Sequence, residues 1–570
     1  MTAPIAHHDS TIEGQESRTE GYLPARSGTL DRMVAAIALL GAAYLLCHLI
    51  AFEYGRDQGI YAVVADGVLR GEAPYRDVWD FKPPGIFFVF ALAEALFGPS
   101  MHAIRVLEAL GFLSLVWAFA IYSRRHLGNA LPGIVGGAFA VLAHVQLEYW
   151  NTAQPSSFGA IVLAWALVCA TYEPSGGIRR RGAVSAAWLA AGALYAVGAL
   201  LKPPLGGGIV VSWGFIAWRR CRLAPAGDRV TAVVTPLVFL VAGALIPLAL
   251  VVGYFTTLGA IGDMYDALFV FAPGYTALGL RDASLAGLMV RAVNEWITDF
   301  SVVNTIGLVL LLGLPAVGER GREGALHVFA IVVLVLFGVA LQAKFFPYHY
   351  DAAIALTGLL AGWGFWKLWV LAERPLGTVA VGTLAAVSIV LALQQATRAA
   401  DRESLWARCD LRLTALLNPR ARDVISEQLY PMADVHEATN RRVAAWLRTQ
   451  TPPDASIYVW GFEPIIYDLA GRRPASRYVY NVPQRTEWAG ERSRALLIEE
   501  LDRSRPAALV VEHGDRIPWV TGNMRDSAEA LHDFPGLQAL LETRYEHVGS
   551  IGQFDLYLLS ASAERRSADT

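Results

Sequence analysis

Residues 33–51 read MVAAIALLGAAYLLCHLIA. Residues 52–85 change character to FEYGRDQGIYAVVADGVLRGEAPYRDVWDFKPPG, and a second apolar run, IFFVFALAEALF, follows at 86–97. At 1.5 Å per residue the first run is long enough to cross a hydrocarbon core of ~30 Å. No small-residue cleavage site follows it, so it reads as a retained helix and not as a signal peptide. The second run, Gly85–Phe97, is too short to cross and reads as a helix lying in the interface or packed re-entrantly. That choice sets the side of every later loop. Apolar windows recur near 103–122, 130–146, 157–172, 184–201, 205–218, 232–256, 301–316, 325–342, 351–371 and 376–394, which with the first makes about eleven crossings. With 85–97 left out of the count, Arg124–Arg125, Arg179–Arg181, Arg219–Arg220 with Arg222, Arg320 with Arg322, and Arg374 all fall on one side, which positive charge marks as cytoplasmic. The N-terminus is then cytoplasmic and the C-terminal part extracytoplasmic.

Composition agrees with a membrane solvent. The 570-residue chain is 55% hydrophobic and 17% charged, with a mean hydropathy of +0.40, against roughly 25% charged in soluble proteins. A net charge of −3 leaves no basic excess for phosphate backbones, so nucleic acid is not an expected partner. The charge is unevenly spread: 46 of the last 170 residues are charged, against 51 of the first 400. The expected architecture is therefore an α-helical polytopic membrane protein, with interfacial helices in the first outer loop and a small C-terminal α/β extracytoplasmic domain. Its parts are a disordered cytoplasmic leader (1–30), a transmembrane unit (31–396) and the tail (397–570). In the tail, Ser456–Trp460 and Ala507–Glu512 read as buried strands, His436–Thr449 and Glu491–Arg503 as helices, and Tyr545–Ser550 with Phe554–Leu559 as a closing hairpin. No Gly-rich nucleotide loop follows either strand. The four cysteines show no zinc-like spacing, and only Cys409 lies in the tail.

Arginine is the default cation here: of 47 basic residues only Lys82, Lys202, Lys344 and Lys367 are lysine. The first three fall at outer ends of spans, two of them in the string Lys-Pro-Pro. An ammonium is a compact point charge suited to a phosphate oxygen, and proline opens a helix whose start favours an anion. Lys82, Lys202 and Lys344 are therefore candidates for an anion site, the plain alternative being interfacial snorkelling. Polar residues gather on the same face. The first loop offers Asp57, Tyr61 and Asp80, the last with Lys82 as its expected partner. A carboxylate at headgroup depth such as Asp57 is costly unless paired, with Arg56 the plain partner, or working. The second loop offers Glu148 and Gln154, and a third turn offers Tyr348, His349 and Tyr350 beside Lys344. The outer loop 258–300, with Asp263, Asp266, Arg281, Arg291 and Glu295, could cover a site but has no motif. This grouping suits a substrate that joins a phosphate to a lipid tail, with a carboxylate as general base toward an attacking hydroxyl.

Asp57 in Arg-Asp-Gln-Gly-Ile-Tyr, Gly71-Glu72-Ala73-Pro74-Tyr75-Arg76-Asp77, Asp80-Phe81-Lys82-Pro83-Pro84-Gly85 and Phe346-Pro347-Tyr348-His349-Tyr350 resemble the GT-C membrane glycosyltransferases. Within them the likeness is to the bacterial dolichyl-phosphate-mannose protein mannosyltransferase-like and aminoarabinose-transferase-like group. The resemblance covers about 30–395 and implies inverting transfer of a sugar from a polyprenyl-phosphate donor to a glycan, lipid or protein acceptor outside a bacterial inner (plasma) membrane. It implies that Asp57 is the base or acceptor-positioning acid and that Lys82 lies near the lipid phosphate. Such proteins usually carry a second acid after the third span. Here Ala153, Gln154, Pro155 and Ser156 occupy that stretch, so either Glu148 has taken over or the second acid is absent. No cofactor is required, and a divalent metal is possible, since some relatives bind one. The rivals are a transporter or flippase of lipid-linked sugars, which needs polar residues at mid-membrane, a polymerase or ligase of lipid-linked glycans, and a non-catalytic membrane scaffold.

Overall fold

The computed structural model describes residues 28–173, 179–281, 283–298, 302–315, 318–372, 405–429 and 436–560. The expected leader and the apolar window at 376–394 lie outside them. The membrane unit opens with α1 (Gly28–Ile50), and the first outer loop carries α2 (Arg56–Leu69) and α3 (Gly85–Phe97). Then follow α4 (Met101–Leu127), α5 (Leu131–Gln146), the single turn α6 (Glu148–Asn151), α7 (Pro155–Ala170), α8 (Arg179–Leu201), α9 (Gly208–Leu223) and α10 (Arg229–Thr257). The outer segment α11 (Ile261–Tyr265), α12 (Ala272–Leu280) and α13 (Leu285–Thr298) leads to α14 (Val302–Gly313), α15 (Gly318–Gln342) and α16 (Asp351–Ala372).

Among the described residues six helices are long and apolar enough to cross a membrane: Gly28–Ile50, Met101–Leu127, Gly182–Leu201, Ala226–Thr257, Gly318–Gln342 and Pro347–Val370. A seventh is counted if α13 and α14, whose axes differ by 105°, form one broken span. The remaining windows predicted as crossings fall on α5, α7 and α9, of 16 residues each, and on α14, of 12. Sixteen residues make a rod of about 24 Å, short of a ~30 Å core, which is why a hydropathy window counts more spans than helix length does. α3 is a helix of 13 residues, buried through Ile86, Phe87, Phe90, Ala91 and Ala93 and exposed at Leu92, Leu96 and Phe97.

Small residues let the bundle close. A Cβ built on Gly358 of α16 would lie 2.8 Å from the Ala140 nitrogen of α5, and one on Gly136 would lie 2.8 Å from the Gly358 carbonyl oxygen. Backbone approach of this kind replaces the hydrophobic drive that lipid does not supply.

The tail folds on a five-stranded sheet in the order β2-β1-β3-β5-β4. β1 (Ser456–Trp460) pairs in parallel with β2 (Arg473–Pro474) and β3 (Ala508–Glu512); β5 (Phe554–Leu559) runs antiparallel to β3 and to β4 (Tyr545–Ile551). Central parallel strands are covered on both faces, so SIYVW and ALVVE read as continuous apolar runs. Two-residue β2 escapes such a reading, and its proline fits the edge it occupies. Helices at Glu437–Gln450 and Gly490–Ser504 flank the strands. Two further helices, Leu405–Leu417 and Arg422–Leu429, precede them. One apolar core runs through first loop and tail together, joining Ile60, Val64, Phe87 and Phe90 to Val459, Ile466, Leu509 and Leu556.

Overpacking a tight contact costs about 1–3 kcal/mol. Gly358→Val is therefore expected to lower the melting temperature of the detergent-solubilised protein by several degrees. Gly214→Ala, whose added methyl meets nothing within 4 Å, is expected to leave it unchanged.

Candidate functional site

α2 begins with Arg56 and Asp57 pointing apart. Its entry is fixed by Gln58, whose Oε1 accepts from the Gly55 N–H at 3.0 Å while its Nε2 donates to the carbonyls of Trp150 at 2.8 Å and Thr152 at 2.6 Å. The second outer loop is thereby stapled to the first turn of α2. Arg56 is buried and turns into the tail, with Nε 3.0 Å from Glu463 Oε1 and a second nitrogen 3.8 Å from Glu512. It is therefore not the partner of Asp57. Asp57 sits in the first turn, where unpaired helix N–H groups favour an anion. Its Oδ2 lies 3.6 Å from Lys82 Nζ and accepts from Gln154 Nε2 at 3.3 Å, and Tyr348 stands on the same cavity. The Lys82 side chain is 20% exposed and that of Asp57 13%. The ammonium lies 5.5 Å from the Tyr61 ring centre and 5.4 Å from that of Phe81. The Lys82 carbonyl accepts from the buried Tyr75 hydroxyl at 2.8 Å.

Asp57 and Lys82 share a cavity of about 490 Å³, within the range of small-molecule sites. Asp80, Glu148, Trp150, Tyr275, Glu295, Phe346 and Tyr348 line it from the membrane unit, and Phe462, Tyr480, Ile517 and Trp519 from the tail. Four sequence-distant segments and the tail thus surround one acid and one ammonium.

The other predicted residues divide. Asp80 lines the cavity but does not take Lys82 as its ion pair. Its Oδ1 accepts from the Tyr480 hydroxyl at 2.7 Å, and burial raises its pKa, opposed by the Lys82 charge and the Tyr480 hydrogen bond. Tyr61 and Gln154 lie behind the cavity: the Tyr61 hydroxyl donates to Gln154 Oε1 at 3.1 Å, and Gln154 Nε2 also donates to the Trp150 carbonyl at 3.1 Å. Tyr350 is likewise behind the lining, its hydroxyl donating to Glu295 Oε2 at 2.9 Å. The His349 ring bonds the Lys344 carbonyl and lies edge-on to Tyr348.

Of the three lysines expected to hold a phosphate, only Lys82 lines the cavity. Lys202 donates to Ser156 Oγ at 3.1 Å and to the His349 carbonyl at 3.4 Å. Burial, with the Lys82 charge second, pushes it down to about 7. Lys344 donates to the Trp519 carbonyl at 2.6 Å, lies 4.2 Å over the Tyr275 ring, and is pushed down to about 8 by burial. Both are tied to main chain and stand outside the lining, so the three lysines expected to act together are not brought together. Glu148, the candidate second acid, lines the cavity, yet its carboxylate is engaged by Arg408 at 2.6 Å and by Arg412, one turn apart on the Leu405–Leu417 helix. It docks the tail.

Nothing in the sequence marks Tyr480 and Trp519, which only the fold brings to the cavity, or gives Glu295 a specific role. A buried set lies behind Gln154 as well: Arg105, Glu108, His144 and Asp351. The signal was present, because Arg105 and Glu108 are charges three residues apart inside an apolar window. Among the described residues no three His, Cys, Asp or Glu side chains converge as metal ligands. Asp80 is tied to Tyr480, and Glu295 to Tyr350 and to Arg291 at 2.7 Å. No residue set is therefore assigned to a divalent ion.

No protein-family model and no curated protein matches the chain by sequence. Among solved structures it is similar to ArnT from Cupriavidus metallidurans in the apo state, with 16% identity and a TM-score of 0.57 over 94% of this chain and 98% of that one. The same protein bound to undecaprenyl phosphate aligns at 16% identity and 0.54, over 94% and 99%. The Archaeoglobus fulgidus oligosaccharyltransferase in the apo form gives 14% and 0.46, over 94% and 75%. At such identities the likeness to ArnT is one of fold. The chain has the GT-C fold, a multi-pass helical membrane protein with a small C-terminal sheet.

Breaking a buried ion pair from one side costs about 3–5 kcal/mol. Glu148→Gln and Arg412→Ala are each expected to lower the melting temperature and to speed proteolysis within 405–429. The double variant is expected to lose less than the sum. A fully stable but inactive Glu148→Gln would instead make Glu148 a reacting group.

Proposed function

We propose that the protein transfers a sugar from a polyprenyl-phosphate donor to a hydroxyl of an extracytoplasmic acceptor, with inversion at the anomeric carbon. The membrane is the bacterial inner membrane, the N-terminus is cytoplasmic and the tail is periplasmic. The observation that carries this reading is the placement of Asp57 and Lys82, 3.6 Å apart, on one aromatic-walled cavity. The GT-C fold supports it, as does the undecaprenyl phosphate bound in one ArnT structure.

The chemistry follows from charge. A sugar-phosphate-lipid diester carries one negative charge. When the acceptor oxygen bonds to the anomeric carbon and the bond from that carbon to the phosphate oxygen breaks, the lipid leaves as a monoester carrying a second. The leaving group needs a cation rather than a strong acid, and Lys82 supplies it at the point where charge develops. The acceptor hydroxyl must lose a proton, and Asp57 takes it as general base. Before substrate enters, the two groups hold each other. A donor phosphate draws the ammonium away and leaves the carboxylate free to act. Asp80 and Tyr348 bound the space for the sugar, and the aromatic rings offer apolar faces to sugar and isoprenoid. Glu148 stays with the tail.

With a panel of polyprenyl-phosphate sugars, Asp57→Asn is expected to lower kcat by about 10²–10⁴-fold while leaving the melting temperature within a degree of wild type. Wild-type turnover in Asp57→Asn would reject the base. Undecaprenyl phosphate at 100 times its Kd stabilises a folded-state binder by about 2.7 kcal/mol. We expect a thermal shift of that order in wild type and its loss in Lys82→Gln. Lys82→Arg is expected to bind but turn over poorly, because a planar fork replaces a point charge.

A further inference from the structure

Gln154 aims an amide at Asp57 but is itself held by a turn under strain. Ala153, fully buried, sits at φ +51°, in the left-handed region that alanine avoids. Its N–H donates to Glu108 Oε1. That oxygen also faces His144 Nε2 at 3.1 Å, and Glu108 Oε2 accepts from Arg105 at 3.2 Å. His144 Nδ1 lies 2.9 and 3.0 Å from the two Asp351 oxygens. Arg105 reaches on to Thr152 Oγ1 at 2.9 Å and to the carbonyl of Tyr149 at 3.0 Å. With both ring nitrogens facing carboxylates the imidazole donates on both sides, so two cations stand against two anions. All four side chains are buried, and none of them lines the cavity. A neutral, hydrogen-bonded set tolerates burial that a lone charge would not.

We infer that Glu108, held by His144 and Asp351, is a positioning residue: it clamps the Thr152–Gln154 turn in its left-handed form and so directs the Gln154 amide onto Asp57. This rests on the reading of Asp57 as the base. The alternative is that the buried set only holds α4, α5 and α16 together.

Glycine takes φ +51° without help, which gives a test that separates the two. In Glu108→Gln, kcat for transfer from the active polyprenyl-phosphate sugar is expected to fall at least tenfold, with the donor KM within twofold of wild type. Adding Ala153→Gly to that variant is expected to restore kcat to within threefold. Wild-type kcat in Glu108→Gln, or a loss that Ala153→Gly does not recover in a folded double variant, overturns the inference. Should Glu108→Gln not fold, Asp351→Asn, which loosens His144 one step further back, takes its place with the same outcomes. Amide hydrogen exchange on the same proteins reads the clamp without any reaction. The peptide covering Ala153 is expected to exchange at least tenfold faster in Glu108→Gln, and unchanged exchange overturns the inference. If wild type transfers no sugar, the functional reading fails while the exchange result still decides the clamp. If Asp57→Asn is inactive and Glu108→Gln is not impaired, only the clamp fails.

Discussion

Everything at the cavity turns on where Arg56 points. Its guanidinium is buried between Glu463 and Glu512, with the rings of Phe462 and Trp150 5.4 and 5.7 Å away. Those carboxylates stand just past β1 and at the end of β3, neighbouring parallel strands. The carboxyl ends of such strands are where open α/β sheets take their ligands. Here the occupant is an arginine of the membrane unit. Burial, with repulsion from Asp515 and Glu463, pushes the Glu512 carboxyl well above its ordinary range, and Arg56 opposes that shift. Neither partner can be withdrawn without leaving buried charge unpaired. Because consecutive helical residues lie about 100° apart, anchoring Arg56 in the sheet fixes the roll of α2 and turns Asp57 toward Lys82.

The tail is consequently part of the site. Arg408 and Arg412 hold Glu148, Arg422 and Arg441 hold Glu53, the Trp79 N–H donates to the Arg477 carbonyl, and the Tyr480 hydroxyl reaches Asp80. These pairs, buried at Glu148 and partly exposed at Glu53, specify one arrangement of tail on membrane unit. What they specify is a roof of Phe462, Tyr480 and Trp519 over a carboxylate and an ammonium. On the proposed reading, a roof of apolar rings would strengthen the pull of Lys82 on a departing phosphate, since the same charge acts through a lower dielectric.

Much of this was legible in the sequence, for physical reasons. SIYVW and ALVVE announce buried strands, 33–51 announces a crossing, and thirteen apolar residues at Gly85–Phe97 announce a helix too short to cross. That Asp57 and Lys82 come near each other was readable because both sit in one loop, but their partners were not: Arg56 turns to Glu463 and Asp80 to Tyr480, which leaves Asp57 and Lys82 to each other. What failed was long-range. No local pattern brings Tyr480 to Asp80, 400 residues away, or aims Arg412 at Glu148. The apolar windows hid Arg105 and Glu108, because averaging over a span dilutes two polar residues among many apolar ones.

Lysine scarcity pointed to a special use, and the structure redefines that use. An ammonium on a flexible stem is a compact point charge that one or two main-chain carbonyls can receive, whereas a guanidinium spreads its donors over several partners, as Arg105 does. Lys202 bonds the His349 carbonyl, Lys344 the Trp519 carbonyl, and Lys367 the Leu311 and Leu314 carbonyls at the end of α14. Arginines instead take the carboxylates that dock tail to membrane unit. Lys82 alone of the four lysines stands against a carboxylate. On the proposed reading it is also the one whose partner exchange a donor phosphate drives, since a carbonyl-bound lysine that left its post would strand a buried dipole. Three lysines that close the structure and one that is free to exchange have the same signature in sequence. Only burial and partner chemistry separate them.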